Sequence, residues 1–483
     1  MQDIEERLAA LEAESRVLDL GPEARRQLQD RVLAHGEAFL DELEQDSHRV
    51  YLDTEDKGAG LLDLPIQESG RSADELLVAV RDHVNRPGLN PASSGHLGYI
   101  PGGGIYPSAL GDYLAAVSNS YAGVFFASPG AVRMENMMVR WMADLIGYPP
   151  GAGGDLTSGG SIANLTAIVT AREAKGIGSA GVPKAVIYST AQVHHCVGKA
   201  LVIAGLRDAP LRLIQMDDEF RMDADALAAQ IEADKAQGLN PFLIVASAGT
   251  TDTGAVDPID EIADIAERQG LWLHIDAAYG GFFALCPEAP PAIGALGRAD
   301  SVVLDPHKGL FLPYGSGALL VRDREALYAA HRYEANYMQD TLRSQEEPSP
   351  ADHSAELTRH FRGLRLWLPL QLFGLAPFRA CISEKIWLAR YFHEKVQALP
   401  HMEVGPDPQL SVSLFRFVPP GKDADEVNAE LARRIQTDGR VFLSSTHIDG
   451  RQWLRLAVLA FRTRKKTVDL ALAVLEELTA DLA

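Results

Sequence analysis

The chain has 483 residues, 46% of them hydrophobic, and a formal net charge of −21. That length supports a large core and more than one domain, while the acidic surface repels nucleic acid and anionic membranes and argues against both as partners. Three cysteines, Cys196, Cys286 and Cys381, are too few and odd in number for a disulfide framework, which points to a reducing, cytoplasmic setting.

The N-terminus, MQDIEERLAALEAE, is charged and lacks the apolar core of a secretion signal, and no apolar run approaches a membrane span. Ile4, Leu8, Leu11 and Leu18 stripe a first helix. Gly21-Pro22 breaks it, and Leu28, Val32, Phe39 and Leu43 stripe a second. Such a pair cannot bury both faces alone and is expected to pack on a partner subunit. Residues 96–131 mix glycine, proline and aromatics and read as an irregular, pocket-lining segment. A helix is expected over 132–146.

From about residue 153 apolar runs alternate with helical patterns. KAVIYST, LRLIQM, PFLIVASAG, LWLHID, ADSVVLDP and SGALLVRD read as strands. SIANLTAIVTAREAK, VHHCVGKALVIAGL, MDADALAAQIEADKAQG and VDPIDEIADIAERQG read as helices. This is an α/β pattern with a mostly parallel sheet, in which ligands bind beyond the strand C-termini. After about 374 the strands SVSLFRFVPP, VFLSSTHI and QWLRLAVLAF and a terminal helix suggest a smaller α+β domain. The polar, proline-containing stretch 337–356 is the expected mobile loop.

The chemistry concentrates in two segments. Lys308 lies in DPHKG, and Asp276 ends the apolar run WLHID about thirty residues earlier. A lysine for an imine, a carboxylate to keep a pyridine nitrogen protonated and an adjacent histidine, His307, are the groups that hold pyridoxal phosphate (PLP) and use it as an electron sink. GAGGDLTSGGSIANL places glycines and Ser161 before a helix, where backbone N–H groups can receive a phosphate. No GK[ST] follows, so a nucleotide P-loop is not indicated. Gly159-Gly160-Ser161-Ile162-Ala163 also approximates a serine-hydrolase elbow, but GAGGDLT is a poor apolar strand to precede one. His194 and His195 are adjacent and lack the spacing or companions of a zinc site, so no metal is expected.

These segments together resemble the group II PLP-dependent amino-acid decarboxylases, the family of aromatic-L-amino-acid decarboxylase and glutamate decarboxylase. The resemblance implies PLP fold type I and a homodimer with the active site at the interface. It divides the chain into an N-terminal segment (1–108) wrapping the partner, a large PLP domain (109–373) with a seven-stranded type of sheet, and a small domain (374–483). It assigns Lys308 as the imine lysine, Asp276 as the pyridine-nitrogen partner and His194, from Tyr188-Ser189-x-x-Gln192-x-His194, as the ring stacked on the cofactor. Ala278 packs the opposite ring face and Thr250 lies near the ring. Gly160, Ser161 and His307 hold the phosphate. Asp305 stands where relatives carry Asn, and its carboxylate would repel a phosphate dianion. Tyr99 and Pro101 match a family Tyr-x-Pro segment on the substrate side; Phe125 and Phe126 read either as pocket residues, supplied by this or the other subunit, or as ordinary core aromatics.

The implied reaction is decarboxylation of an L-amino acid, most simply an aromatic one, to the amine and CO₂. Relatives carry a loop tyrosine that returns the proton to the substrate carbon. Residues 341–361 contain no tyrosine, and His353 is the substitute of suitable ordinary pKa. Relatives lacking that tyrosine can carry out an aldehyde-forming oxidative deamination, which is one in-class alternative; a carbon–carbon lyase on the same fold is the other.

Overall fold

The computed structural model describes residues 2–331 and 347–482. The chain forms two compact units, Met1–Asn90 and Pro91–Ala483.

In the first unit, helices α1 (Gln2–Ser15) and α2 (Pro22–Leu43) are separated at Gly21-Pro22, with Pro22 opening α2. Neither helix buries any residue, and Ile4, Leu8, Leu28 and Val32 remain exposed. Helix α3 (Ala73–Val80) follows, its N-terminus capped by Ser72.

Among the described residues of the second unit, seven strands form the central sheet: β1 (Gly153–Thr157), β2 (Ala185–Thr190), β3 (Leu211–Ile214), β4 (Asn240–Ser247), β5 (Trp272–Asp276), β6 (Ser301–Leu304) and β7 (Gly317–Val321). Their spatial order is β1-β7-β6-β5-β4-β2-β3. The run from β6 through β3 is parallel, and β7 is antiparallel to both β6 and β1. Helices α6 (Gly160–Ala174), α7 (His195–Ile203), α8 (Ala224–Ala236) and α9 (Ile259–Gln269) alternate with the strands. The inner strands are buried throughout, as expected for a sheet covered on both faces. A second sheet, β8 (Met402–Val404), β9 (Val412–Phe417), β10 (Ser444–Ile448) and β11 (Arg451–Ala457), is antiparallel in the order β8-β9-β11-β10. The mostly parallel sheet and the C-terminal α+β region agree with the expected class.

Two local readings are corrected. The segment 96–131 is not irregular throughout: it contains helix α4 (Tyr106–Ser118), opened by Pro107 and ended by Asn119 in the left-handed region. Gly153–Thr157 is a strand despite its glycines, because it lies at the sheet edge and needs only one partner, β7.

Residues 332–346, including Tyr337, lie outside the described residues, so the expected loop is described only from 347 onward. There the chain is tied down. The Phe125 N–H donates to Ser349 Oγ at 3.0 Å, and the Ala351 N–H donates to the Gly123 carbonyl at 2.9 Å. Farther on, buried Arg359 pairs with Glu135 at 3.0 Å and Asp155 at 2.6 Å. Glu135 also accepts the Arg362 and Gly363 N–H groups. These bonds fasten the segment to α5 (Pro129–Leu145) and β1.

Candidate active site

A cavity of about 350 Å³ opens at the C-terminal ends of the parallel strands, and Lys308, Asp276, His194, Thr250, Ala278, Gly160, Ser161 and His307 all line it. The topology explains the meeting. Asp276 is the last residue of β5, Thr250 follows β4, and Lys308 sits in the short turn after β6. Gly160 and Ser161 begin α6, whose N-terminus carries no side-chain cap, so its first N–H groups are available to an anion. Gly159 has φ +153°, and a Cβ at Gly160 would come 2.9 Å from Asp305 Oδ2. Glycine is required for this close approach.

Lys308 Nζ lies 3.1 Å from Asp305 Oδ2. Burial alone would lower the lysine pKa, but the carboxylates of Asp305 and Asp276 outweigh it and the net shift is upward. Asp276 Oδ1 accepts the Ala278 N–H at 3.1 Å, and Oδ2 accepts from Asn164 Nδ2 at 3.2 Å. His194 caps α7, its Nδ1 accepting the Cys196 N–H at 3.3 Å. Burial lowers the His194 pKa, with His195 and Lys308 adding to the effect against Asp276. His307 Nδ1 donates to the Ser316 carbonyl at 2.5 Å, and burial likewise holds its pKa down. Thr250 Oγ1 is 2.6 Å from Thr253 Oγ1.

Comparison with known proteins decides the family. Residues 56–418 match the pyridoxal-dependent decarboxylase conserved domain. The chain belongs to the pyridoxal-dependent decarboxylase family. It is 33% identical over 403 residues to an aromatic-L-amino-acid decarboxylase of Bacillus atrophaeus, covering 82% of this chain and 84% of that one. It is 31% identical over 421 residues to a phenylacetaldehyde synthase of Petunia hybrida, covering 82% and 83%. The crystal structure of Oryza sativa TDC with PLP and tryptamine superposes with a TM-score of 0.90 at 26% identity, covering 96% of this chain and 99% of that one.

As a member of this family the chain is a PLP-dependent lyase of fold type I. Its cavity fits the cofactor. The volume suits a small ligand, an amine and a carboxylate face the same space, and the uncapped α6 N-terminus supplies a phosphate cradle that a Cβ would fill. Asp305 faces the lysine, and its Oδ1 is buried without a hydrogen-bond partner.

The residues expected on the substrate side are elsewhere. None of Tyr99, Pro101, Phe125, Phe126 and His353 lines the cavity. Tyr99 is 54% exposed, with its ring 5.8 Å from that of Phe442. Pro101 is buried. Phe125 is buried under the Arg133 guanidinium, and Phe126 is 63% exposed. His353 is buried edge-on against Tyr328, and burial pushes its pKa down to about 4. That leaves a neutral imidazole away from the cavity rather than a proton donor poised in it.

Other cavity residues escaped sequence reasoning: Asn164, Cys196, Thr251 and Tyr279. Burial pushes the Cys196 thiol up to about 12, so it is a packing group rather than a thiolate. Buried Arg455 donates to the carbonyls of Thr251 and Asp252, fastening the loop that carries Thr250. In the sequence it looked like one more residue of a small-domain strand.

Proposed function

We propose that this enzyme decarboxylates an aromatic L-amino acid to its amine. The observation that carries the reading is the convergence of Lys308, Asp276 and the α6 N-terminus on one cavity. The names of the relatives, among them aromatic-L-amino-acid decarboxylase and tryptophan decarboxylases, support the aromatic class.

Bound PLP supplies an electron-accepting ring that stabilises charge developing on the substrate carbon. Lys308 would provide the amine that holds the cofactor aldehyde. Asp276, with both oxygens already steadied by N–H donors, would hold the ring nitrogen. His194, whose pKa burial lowers, would lie against one face of the ring and Ala278 against the other, and His194 could orient the substrate carboxylate. Gly160, Ser161 and His307 would receive the phosphate, and Thr250 would lie near the ring. We assign proton return to the substrate carbon to His194 or a water it holds.

The functional unit in this reading is a cytoplasmic homodimer, with residues 1–108 on the partner, 109–373 forming the cofactor domain and 374–483 the small domain. Support comes from the unburied apolar stripes of α1 and α2 and from the three cysteines being free. Tyr99 and Phe126, both exposed, then face substrate across the interface.

The test is a screen of the common L-amino acids for CO₂ release, with products identified and the bound chromophore challenged with borohydride. Amine from Tyr, Phe, Trp or dihydroxyphenylalanine is the expected result. Aldehyde with ammonia and peroxide would establish the second reading, which the phenylacetaldehyde synthases among the relatives favour. Release only from acidic amino acids would overturn the aromatic assignment.

A further inference from the structure

Behind the cavity, four buried side chains lead to Asp276. Trp272 Nε1 is 2.9 Å from Ser301 Oγ, and Ser301 Oγ is 2.8 Å from His274 Nδ1. His274 Nε2 is 2.8 Å from Asn164 Oδ1, and Asn164 Nδ2 reaches Asp276 Oδ2 at 3.2 Å and the Gly160 carbonyl at 2.9 Å. Ser301 and His274 have no exposed surface and Asn164 has 1%.

The donor of each bond follows from chemistry. A carboxylate and a backbone carbonyl only accept, so the Asn164 NH₂ group must face Asp276 and Gly160, and its Oδ1 must face His274. His274 Nε2 must therefore carry a hydrogen. A neutral imidazole then has a bare Nδ1, which requires the Ser301 hydroxyl to donate. An indole N–H only donates, so it fills the remaining acceptor site on Ser301. The chain has one sense, from Trp272 to the carboxylate. Burial supports the neutral state, holding the His274 pKa at about 4 against the pull of Asp276.

We propose that this one-directional relay is a positioning device for the cofactor: His274 and Ser301 lock the Asn164 amide in one orientation, and the locked amide fixes the Asp276 carboxylate against the α6 cradle. The proposal rests on the assignment of Asp276 to the ring nitrogen. Asn164 is the pivotal residue because its single NH₂ group spans both ends of the site. One hydrogen goes to Gly160 at the phosphate cradle and the other to Asp276 at the ring end, so the amide acts as a ruler between them. An amide turned over would present Oδ1 to the carboxylate, lone pair against lone pair, and release Gly160. Neither His274 nor Ser301 lines the cavity, so both act through Asn164 and neither is a catalytic residue.

The experiment uses holoenzyme reconstituted with PLP carrying ¹⁵N in the ring. The ¹⁵N resonance reports protonation of that nitrogen, and cofactor retention is measured separately. Asp276→Asn should give the largest displacement toward the unprotonated position. Ser301→Ala, which deletes one hydroxyl outside the cavity, and His274→Leu should each give part of that displacement and weaken cofactor retention about fivefold, the order expected for a lost hydrogen bond between neutral groups. His274→Gln retains an N–H donor toward Asn164 and should recover most of the signal, which a purely structural role would not predict. Circular dichroism checks folding, and if His274→Leu does not fold, Ser301→Ala decides. A resonance moved by Asp276→Asn but not by Ser301→Ala would overturn the relay and leave the Asp276 assignment intact. A resonance unmoved by Asp276→Asn would overturn that assignment, and the relay with it.

Discussion

The wall of the cavity that carries Lys308 and Asp276 is made from strand ends and a helix N-terminus of one unit, whereas Tyr99 and Phe126 stand exposed and Pro101 and Phe125 pack away from it. On one wall Asp276 is held from two sides by N–H donors. The other set has aromatic surface and no contact with the cavity. In the proposed homodimer the tasks separate: one chain preorganises the cofactor end, and the substrate side chain meets a face completed by the partner. Damage to the first should strike turnover through the cofactor, while damage to the second should change substrate affinity alone.

The hardest break is Lys308→Ala, which should abolish turnover and the borohydride-reducible adduct. A reduced adduct found by peptide mass spectrometry on another lysine, such as Lys199, would remove Lys308 from its role. Asp276→Asn comes next: about 3 kcal/mol on the barrier, or roughly a hundredfold in kcat, with PLP still bound. Near-normal kcat would show that the carboxylate does not serve the ring.

The exposed wall is sharpened by complementation. Phe126→Asp should raise KM about tenfold and leave cofactor retention unchanged. Mixed with Lys308→Ala chains it should regain activity, because in the proposed homodimer a mixed pair would have one site with both wild-type residues. No recovery on mixing would place Phe126 outside a shared site.

A smaller effect concerns pH. Capture of the cofactor aldehyde needs a neutral amine, and the Asp305 and Asp276 carboxylates raise the Lys308 pKa above its ordinary value despite burial. Capture by cofactor-free protein should therefore quicken as pH rises into and beyond the ordinary lysine range. Asp305→Asn should move that rise to lower pH. The same pairing stabilises the folded chain below the unfolded lysine pKa and fades as pH climbs through the raised one. An unshifted capture profile in Asp305→Asn would deny Asp305 its influence. The smallest effect is expected of His353→Phe, with amine output unchanged, since the imidazole is buried, neutral and off the cavity. A fall in amine with a rise in aldehyde and peroxide would restore it as the proton donor.

The parts of the fold legible in the sequence were those whose burial is uniform. LWLHID and PFLIVASAG read as inner strands because both faces of a parallel strand are apolar, and an Asp ending such a run marks the ligand end of a sheet. Lys308, Asp276 and His194 were legible for that reason and through the family pattern around them. Helix α4 was hidden because prolines and glycines flank it, and β1 because an edge strand tolerates glycine. Asn164 was invisible: a polar residue inside SIANLTAIVTAREAK looks like an exposed helix position. The one available hint of the relay was His274 itself, a polar residue in the middle of an otherwise apolar strand. The placement of His353 was not legible, since a polar, proline-containing stretch gives no sign that its histidine is buried.

Edge strand β1 pairs only with β7, whose residues enter the sequence roughly 160 positions later. The cradle at the start of α6 therefore depends on a strand that leaves the ribosome after Asp276, His307 and Lys308 have already emerged. A nascent chain that ends before Gly317 has its lysine and aspartate but an unpaired β1, with its hydrogen-bonding edge open to other chains. Cofactor capture is thus a late event in the life of the polypeptide, and truncations short of β7 should give aggregation rather than a smaller enzyme.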